Sequence, residues 1–309
     1  RRRLGCREPS MSQAPVTCRC CGSQQQHFLV GGLDSIYARR TYDVVVCEQC
    51  GNGITVPAET QASLDRLYAE TYLYPVHECV IGEKRYRAEG LARFLRQHYP
   101  AAQYSNVLEI GCMFGYLMEA LRRDYRVKGI DLGTEAIRFC RERGLDAEEI
   151  SVEDYLKKPA ERFDLIILSH VFEHLVEPEV VLRQLKNRLT PNGRIVLLVP
   201  NRNSIARKVG GRNWGWWQVP VHIHHFTENA LHALATREGL DTERVRYRGG
   251  DSLMWVLTFM KLFGVSGKGQ SSLSATQRWF LRSWSAVARY WYALGNEEIA
   301  VVLTNRTSR

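Results

Sequence analysis

From Val107 onward the chain alternates short apolar runs with amphipathic stretches, and this alternation limits its fold more than any other feature. The order is strand "VLEI", a helix over 115–124, strand "VKGIDL", a helix over 134–143, a short strand near 147–152, strand "FDLIILS", a helix over 178–189 and strand "RIVLLVP". Strands that alternate with helices are joined by right-handed crossovers and form a mostly parallel sheet covered by helices on both faces. The unbroken apolar runs "LIIL" and "IVLLV" fit strands buried on both sides. "PNGR" at 191–194 separates helix from strand, and Thr227 can cap the helix "ENALHALATREG", which stops at Gly239. A strand near 241–248 and the late run "EEIAVVLTN" bring the count to seven, with 251–293 inserted between them. The expected fold is therefore α/β: a doubly wound, Rossmann-like, seven-stranded, mostly parallel sheet with a helical insertion before the last strand. Ahead of it, "EKRYRAEGLARFLRQHYP" reads as a helix with Leu91, Phe94 and Leu95 on one side.

The first strand of the alternation runs into a glycine turn. Glu109, Gly111 and Gly115 stand where strand gives way to helix, so the backbone can approach a ligand and the helix N-terminus offers unpaired N–H groups. Asp131 follows twenty residues after Gly111, at the end of the next strand, where a carboxylate can accept both ribose hydroxyls of a nucleoside cofactor. The position where a further glycine is common holds Met113.

"LEIGCMFGYL", "GIDL", "FDLIILSHVFEHL", "LTPNGRIVLLVPN" and "HIHHFTENALHAL" together resemble class I S-adenosylmethionine-dependent methyltransferases, in a branch with an E-H-L motif and a late H-F-T motif. The likeness spans roughly 65–250 and the final strand. It implies S-adenosylmethionine as cofactor, with Glu109, Gly111, Cys112 and Gly115 at its amino-acid part and Asp131 at its ribose. Leu132 then flanks the adenine, Glu153 or Asp154 lies near its edge, and Ser169 and His170 line the pocket near the sulfonium. A dehydrogenase shares the glycine turn and the acid, but has less reason to carry the E-H-L and H-F-T segments.

Methyl transfer is an in-line displacement, which asks the protein to position the acceptor and exclude water, and to remove a proton when the nucleophile is a hydroxyl or a carbon. Two clusters suit that work: His170, Glu173 and His174 after the fourth strand, and His222, His224 and His225 before the late helix. His174 or His225 is the expected base or orienting group, Glu173 its orienter, and His170 and His222 further candidates. The alternative is that these side chains cap and pack their loops. A catalytic metal on these histidines is disfavoured, since their spacing matches no helical H-x-x-x-H arrangement. "GGRNWGWWQVPVHIHH" offers tryptophans either as a stacking wall for a sugar or aromatic acceptor or as core beneath a lid.

The N-terminal part carries "CRCCGS" and "CEQCGN", each a C-x-x-C followed by glycine. Cys18, Cys21, Cys47 and Cys50 resemble the two knuckles of a zinc ribbon, whose four thiolates fill a tetrahedral shell and leave no open position, so the Zn2+ is structural. A pair of redox dithiols is the competing reading, and Cys20 is an extra thiol. The expected domains are an extension at 1–10, a ribbon-like module at 11–60 and a methyltransferase domain at 61–309.

Formal charge is +9, of which the stretch before Met11 supplies three. No apolar run is long enough to cross a bilayer, which gives a cytoplasmic expectation. In the insertion, Phe280, Trp284, Val287 and Trp291 fall on one helical stripe and Arg278, Arg282 and Arg289 opposite, a pattern for peripheral membrane contact through 278–292 or for packing against protein. Because ribbon-bearing relatives resemble enzymes that methylate nucleotide-linked sugars, a carbohydrate or lipid-linked small molecule is the expected acceptor. RNA ranks below it, since the ribbon shows no basic stripe interleaved with aromatics. A non-catalytic binding protein that kept the fold is the remaining class.

Overall fold

The computed structural model describes residues 16–35, 37–71, 78–249, 254, 258 and 296–306. The expected extension at 1–10 and the amphipathic stretch 278–292 lie outside these residues, as does most of the insertion.

The N-terminal module is a small antiparallel sheet of β1 (Gln26–Asp34), β2 (Thr41–Cys47) and β3 (Gly53–Val56). Helices α1 (Gln61–Thr71) and α2 (Glu78–His98) lead to the main sheet. Then follow β4 (Asn106–Ile110), α3 (Tyr116–Leu121), β5 (Arg126–Asp131), α4 (Thr134–Glu142), β6 (Asp146–Glu149), α5 (Val152–Lys157), β7 (Phe163–Ser169), α6 (Pro178–Lys186), β8 (Leu189–Pro200), α7 (Ile205–Gly210), the two-residue β9 (His224–His225), α8 (Glu228–Arg237), β10 (Leu240–Arg248) and β11 (Glu298–Asn305).

The large sheet has seven strands in the order β10-β11-β8-β7-β4-β5-β6. All neighbours are parallel except β11, which runs antiparallel to β8 and β10. The chain moves outward from β4 through β5 to β6, then returns to start β7 on the other side of β4. That reversal opens a crevice at the carboxyl ends of β4 and β7, where an open α/β sheet binds its ligands.

The apolar runs alternate across this sheet. Leu108, Ile110, Ile166 and Leu168 face one core, packed by Val181, Leu182 and Leu185 of α6 and Leu231 and Leu234 of α8. Val107, Leu165 and Ile167 face the opposite core, against Leu91 and Leu95 of α2 and Leu117 and Leu121 of α3. Thr227 accepts the Ala230 N–H at 3.2 Å and so caps α8 as the sequence indicates.

The small sheet crosses the expected boundary near residue 60. Strand β9 pairs with β3, Gly53 opposite His225 and Ile54 opposite His224, so the small sheet reads β1-β2-β3-β9. The H-F-T segment therefore belongs to the N-terminal sheet as much as to the part of the chain that carries the large sheet. Thr55 donates to the His222 carbonyl at 2.7 Å, Arg202 to the Gly51 carbonyl at 2.7 Å and Thr227 to the Cys50 carbonyl at 3.2 Å. Periodicity had no access to this joint, because a two-residue strand carries no period.

Candidate active site

At the end of β4 the backbone turns through Gly111, with φ of 75°, and Met113, with φ of 45°. A Cβ on Gly111 would lie 2.2 Å from Val171 Cγ2, so the turn can pass beneath the loop after β7 only without a side chain. Met113 holds its left-handed backbone because its N–H donates to Asp131 Oδ2 at 2.8 Å. The Gly133 N–H donates to Asp131 Oδ1, also at 2.8 Å. Burial raises the Asp131 pKa and these two donors oppose the rise. Glu109 is buried, its Oε2 has no hydrogen-bond partner, and its pKa is raised by burial first and then by the nearby Cys140 and Asp131. An orphaned buried acceptor beside a side-chain-free turn fits the amino-acid end of S-adenosylmethionine, whose ammonium can supply the missing donor.

Other residues expected here divide. Cys112, Leu132, Glu153, Ser169 and His170 lie on the wall of one cavity together with Glu109, Gly111 and Asp131. Gly115 does not line it; a Cβ there would meet Leu145 Cδ1 at 2.5 Å and Cys140 Sγ at 2.8 Å, so this glycine serves the packing of α3. Asp154 is also off the wall, on the exposed side of α5, paired with Lys157 at 2.7 Å.

The cavity, about 420 Å³, continues past the sulfonium end of that cradle to His174, Leu175, Trp216, Val221, His222 and Met254. His170 adopts a φ of 55° at the end of β7 and stacks on Trp216, ring centres 5.0 Å apart and planes nearly parallel. Its Nε2 lies 2.7 Å from Arg87 Nη2 and 3.2 Å from Glu298 Oε1. Burial pulls the His170 pKa down, but Glu298 and Glu173 outweigh it and the net shift is upward. Glu298, buried and in contact with Arg87, is held at about 2, because Arg87 and His170 overcome the opposing effect of burial.

His174 and His222 meet edge to face, ring centres 4.7 Å apart. His174 Nδ1 donates to the Val221 carbonyl at 2.9 Å, and His222 Nδ1 donates to the Trp216 carbonyl at 2.8 Å. A carbonyl can only accept, so in the neutral rings the lone pair of each sits on Nε2. Burial lowers both pKa values, which keeps both rings neutral near neutral pH.

His225, expected beside the acceptor, is not on the cavity wall. Since the Thr55 hydroxyl proton is committed to the His222 carbonyl, Thr55 Oγ1 accepts from His225 Nε2 at 3.0 Å, and the ring is sealed inside the joint between the two sheets. Burial drives its pKa down to about 3. His224 accepts from Asn52 Nδ2 at 3.2 Å and burial holds it at about 4. The two histidines of the H-F-T segment are thus fold residues, while His222, two positions earlier, faces the cavity.

Several wall residues carried no sequence signal as site residues: Tyr37 from the ribbon, Gln61 from α1, Lys84 and Arg87 from α2, Gln218 and Val221 from the tryptophan loop. Tyr37 donates to Gln218 Oε1 at 3.3 Å across the mouth, so the ribbon contributes directly to the wall. Glu298 had a legible hint, a paired carboxylate opening an otherwise apolar strand.

In the ribbon, Cys18 and Cys50 Sγ atoms are 3.6 Å apart and Cys21 and Cys47 Sγ atoms 3.4 Å apart, and all four lie within 4.8 Å of one another. A tetrahedral zinc with four thiolates sets sulfurs roughly 3.8 Å apart, so the four side chains fit that ion. Cys20 is buried beside them.

Residues 83–245, more than half of the chain, match the methyltransferase-domain family. A ubiquinone biosynthesis O-methyltransferase of Aeromonas salmonicida is 31% identical over 107 residues, covering 32% of this chain and 45% of that protein. One of Xanthomonas oryzae pv. oryzae is 29% identical over 133 residues, covering 40% and 56%. The chain spans about half the length of the curated relatives it matches. Among solved structures, a SAM-dependent methyltransferase from Archaeoglobus fulgidus aligns over 74% of this chain and 99% of its own, at 19% identity and a TM-score of 0.48. The chain belongs to the methyltransferase-domain family.

Proposed function

We propose that the chain moves the methyl group of S-adenosylmethionine to a hydroxyl of a small acceptor. The observation that carries this reading is the continuity of one cavity from Glu109 and Asp131 to His174, His222 and Trp216. When bound, S-adenosylmethionine supplies an electrophilic methyl carbon on a sulfonium. Glu109, Gly111, Met113 and Asp131 bind its amino-acid and ribose parts, and Leu132 and Glu153 flank the adenine. The stacked His170–Trp216 pair forms a flat wall on the acceptor side and excludes water from it. Neutral His174 and His222, each aimed by a carbonyl on Nδ1, present basic nitrogens to an acceptor hydroxyl, and a positioned base of this kind is typically worth about 10²–10⁴-fold in rate.

Val171, Leu175, Leu198, Val221 and Met254 make that side mostly apolar. A planar hydroxylated ring suits it better than a sugar, whose many hydroxyls would each need a partner when buried. The likeness to proteins named as O-methyltransferases of ubiquinone biosynthesis agrees with a hydroxyl acceptor. We further propose that Cys18, Cys21, Cys47 and Cys50 hold a structural zinc ion.

Calorimetric titration with S-adenosylhomocysteine followed by acceptor screening tests this. The panel contains dihydroxylated aromatic rings, nucleotide-linked sugars and RNA oligonucleotides, with S-adenosylhomocysteine release as readout. Turnover confined to the rings is the expected result. Turnover on sugars would restore the carbohydrate expectation, methylation of RNA would overturn the small-acceptor reading, and no binding of S-adenosylhomocysteine would show a non-catalytic protein.

A further inference from the structure

We propose that Glu173, His174 and His222 form a second metal centre, distinct from the four cysteines, which takes a divalent first-row transition ion at the acceptor end of the cavity. The inference rests on the methyltransferase reading and replaces proton removal by the two imidazoles with activation of the acceptor by the ion they hold.

Glu173 carries the argument. Its side chain is only 1% exposed, and neither carboxylate oxygen has a hydrogen-bond partner. His170 Nδ1 stands 3.4 Å from Oε1 without the alignment of a hydrogen bond, and that nitrogen is itself without a partner. A carboxylate deprived of water on both oxygens normally costs several kcal/mol unless a cation sits beside it. One ligand atom each of Glu173, His174 and His222 lies within 4.8 Å of the other two, which is the spread that one ion bridges.

The two imidazoles are prepared for the same task. His174 and His222 each spend Nδ1 on a backbone carbonyl, and this fixes the tautomer that presents Nε2 as a ligand. Metal-binding histidines are held in this way, by a carbonyl or carboxylate on the far nitrogen. The backbone keeps the three together: the Ile223 N–H donates to the Glu173 carbonyl at 3.0 Å, tying the loop after β7 to the segment that carries His222.

Two imidazoles and one carboxylate suit zinc, iron or cobalt rather than magnesium, and three protein ligands leave positions open. His174 and His222 line the cavity, so an acceptor oxygen can reach an open position. Coordination there lowers the pKa of the hydroxyl, whose proton leaves to solvent. The oxygen then attacks the methyl carbon: an O–C bond forms, the S–C bond breaks, and its electron pair returns to sulfur. Helical spacing does not announce such a site, because its two histidines come from segments 48 residues apart that only the fold brings together.

The test uses the full chain with the cysteine site filled with zinc, titrated with Co2+. A further equivalent of cobalt should bind with visible d–d absorption and without the near-ultraviolet thiolate band of a cysteine site. Glu173→Gln and His222→Gln should each abolish that equivalent and lower turnover at least tenfold, while S-adenosylhomocysteine affinity and the zinc content of the ribbon stay at wild-type values. Retention of the cobalt spectrum in both variants, or no cobalt binding by wild-type protein that binds S-adenosylhomocysteine normally, would overturn the proposal and leave Glu173 as the partner of a protonated His170. Loss of S-adenosylhomocysteine binding by the wild type would instead defeat the methyltransferase reading itself.

Discussion

The Met113 N–H donates to Asp131 Oδ2 at 2.8 Å, so the residue that departs from the usual glycine pattern is held in its left-handed conformation by the carboxylate assigned to the cofactor ribose. A glycine is therefore not needed at this position for the turn to form. The carboxylate shapes the turn and also lines the cavity.

Asp131→Ala removes both functions. S-adenosylhomocysteine affinity should fall at least tenfold, about 1.4 kcal/mol. Calorimetry reads this directly, and wild-type affinity in the variant would show that the carboxylate does not contact the ribose.

Gly111→Ala should destabilise the protein by about 1–3 kcal/mol, because the new methyl meets Val171 Cγ2 at 2.2 Å and the residue stays at positive φ. Val171→Ala added to it should recover part of the loss by removing the clash. Gly144→Ala, at φ 68° with open space around it, should show the backbone cost alone. Thermal unfolding of the three variants separates the two contributions.

Stripping zinc from the ribbon should damage the acceptor end more than the cofactor end. Thr55 holds the His222 carbonyl and Tyr37 reaches Gln218, whereas Glu109 and Asp131 stand on the large sheet alone. Turnover should fall roughly tenfold or more as positioning is lost, with S-adenosylhomocysteine affinity retained. Equal loss of both would show that the ribbon supports the whole domain rather than one end of its cavity.

His225 gives the protein an acid limit. Its folded pKa, about 3, lies below the ordinary 6.5, so the unfolded chain binds more protons between those values and stability rises with pH across that window. The contribution is complete above pH 6.5 and is lost as the pH falls toward 3. At pH 4.5 the loss amounts to about 2–3 kcal/mol. His225→Asn should flatten this slope, whatever it does to stability at neutral pH; denaturant unfolding at several pH values measures it.

Glu298→Gln deprives Arg87 of its buried carboxylate and should cost about 3–5 kcal/mol, while Arg87→Met combined with Glu298→Leu should cost much less than the two single changes together. Additive losses in the double-mutant cycle would mean that the two side chains do not act as a pair.

The large sheet was legible because its signals are local and long: each apolar run announces a strand, and Thr227 and Gly239 mark the ends of α8. The gathering of Glu109, Gly111 and Asp131 on one cavity wall was legible for a related reason. Glu109, Gly111 and Asp131 sit at fixed offsets from strand ends, so sequence spacing stands for position in space. Gly115 and Asp154 show the limit of that substitution, since the same offsets admit a packing glycine and a solvent-facing carboxylate. The acceptor end was read only as a collection of histidines. Whether His222 or His225 faces the cavity depends on Thr55, more than 160 positions earlier, and no local pattern contains that contact.

The pairing of β3 with β9 also orders events in time. The ribbon's knuckles lie within residues 18–50 and can gather a metal as soon as they emerge, but the strand that covers β3 arrives some 170 residues later. Until then β3 presents an unpaired edge, the kind of surface that recruits strands from other chains. A fold closed by so distant a contact assembles slowly, because the loop must be ordered before the contact rewards it. A nascent chain of this protein thus passes through a stage at which the four cysteines of its first module are together yet the module's sheet is incomplete. Truncation before His224 would arrest it there, with the β3 edge open to aggregation.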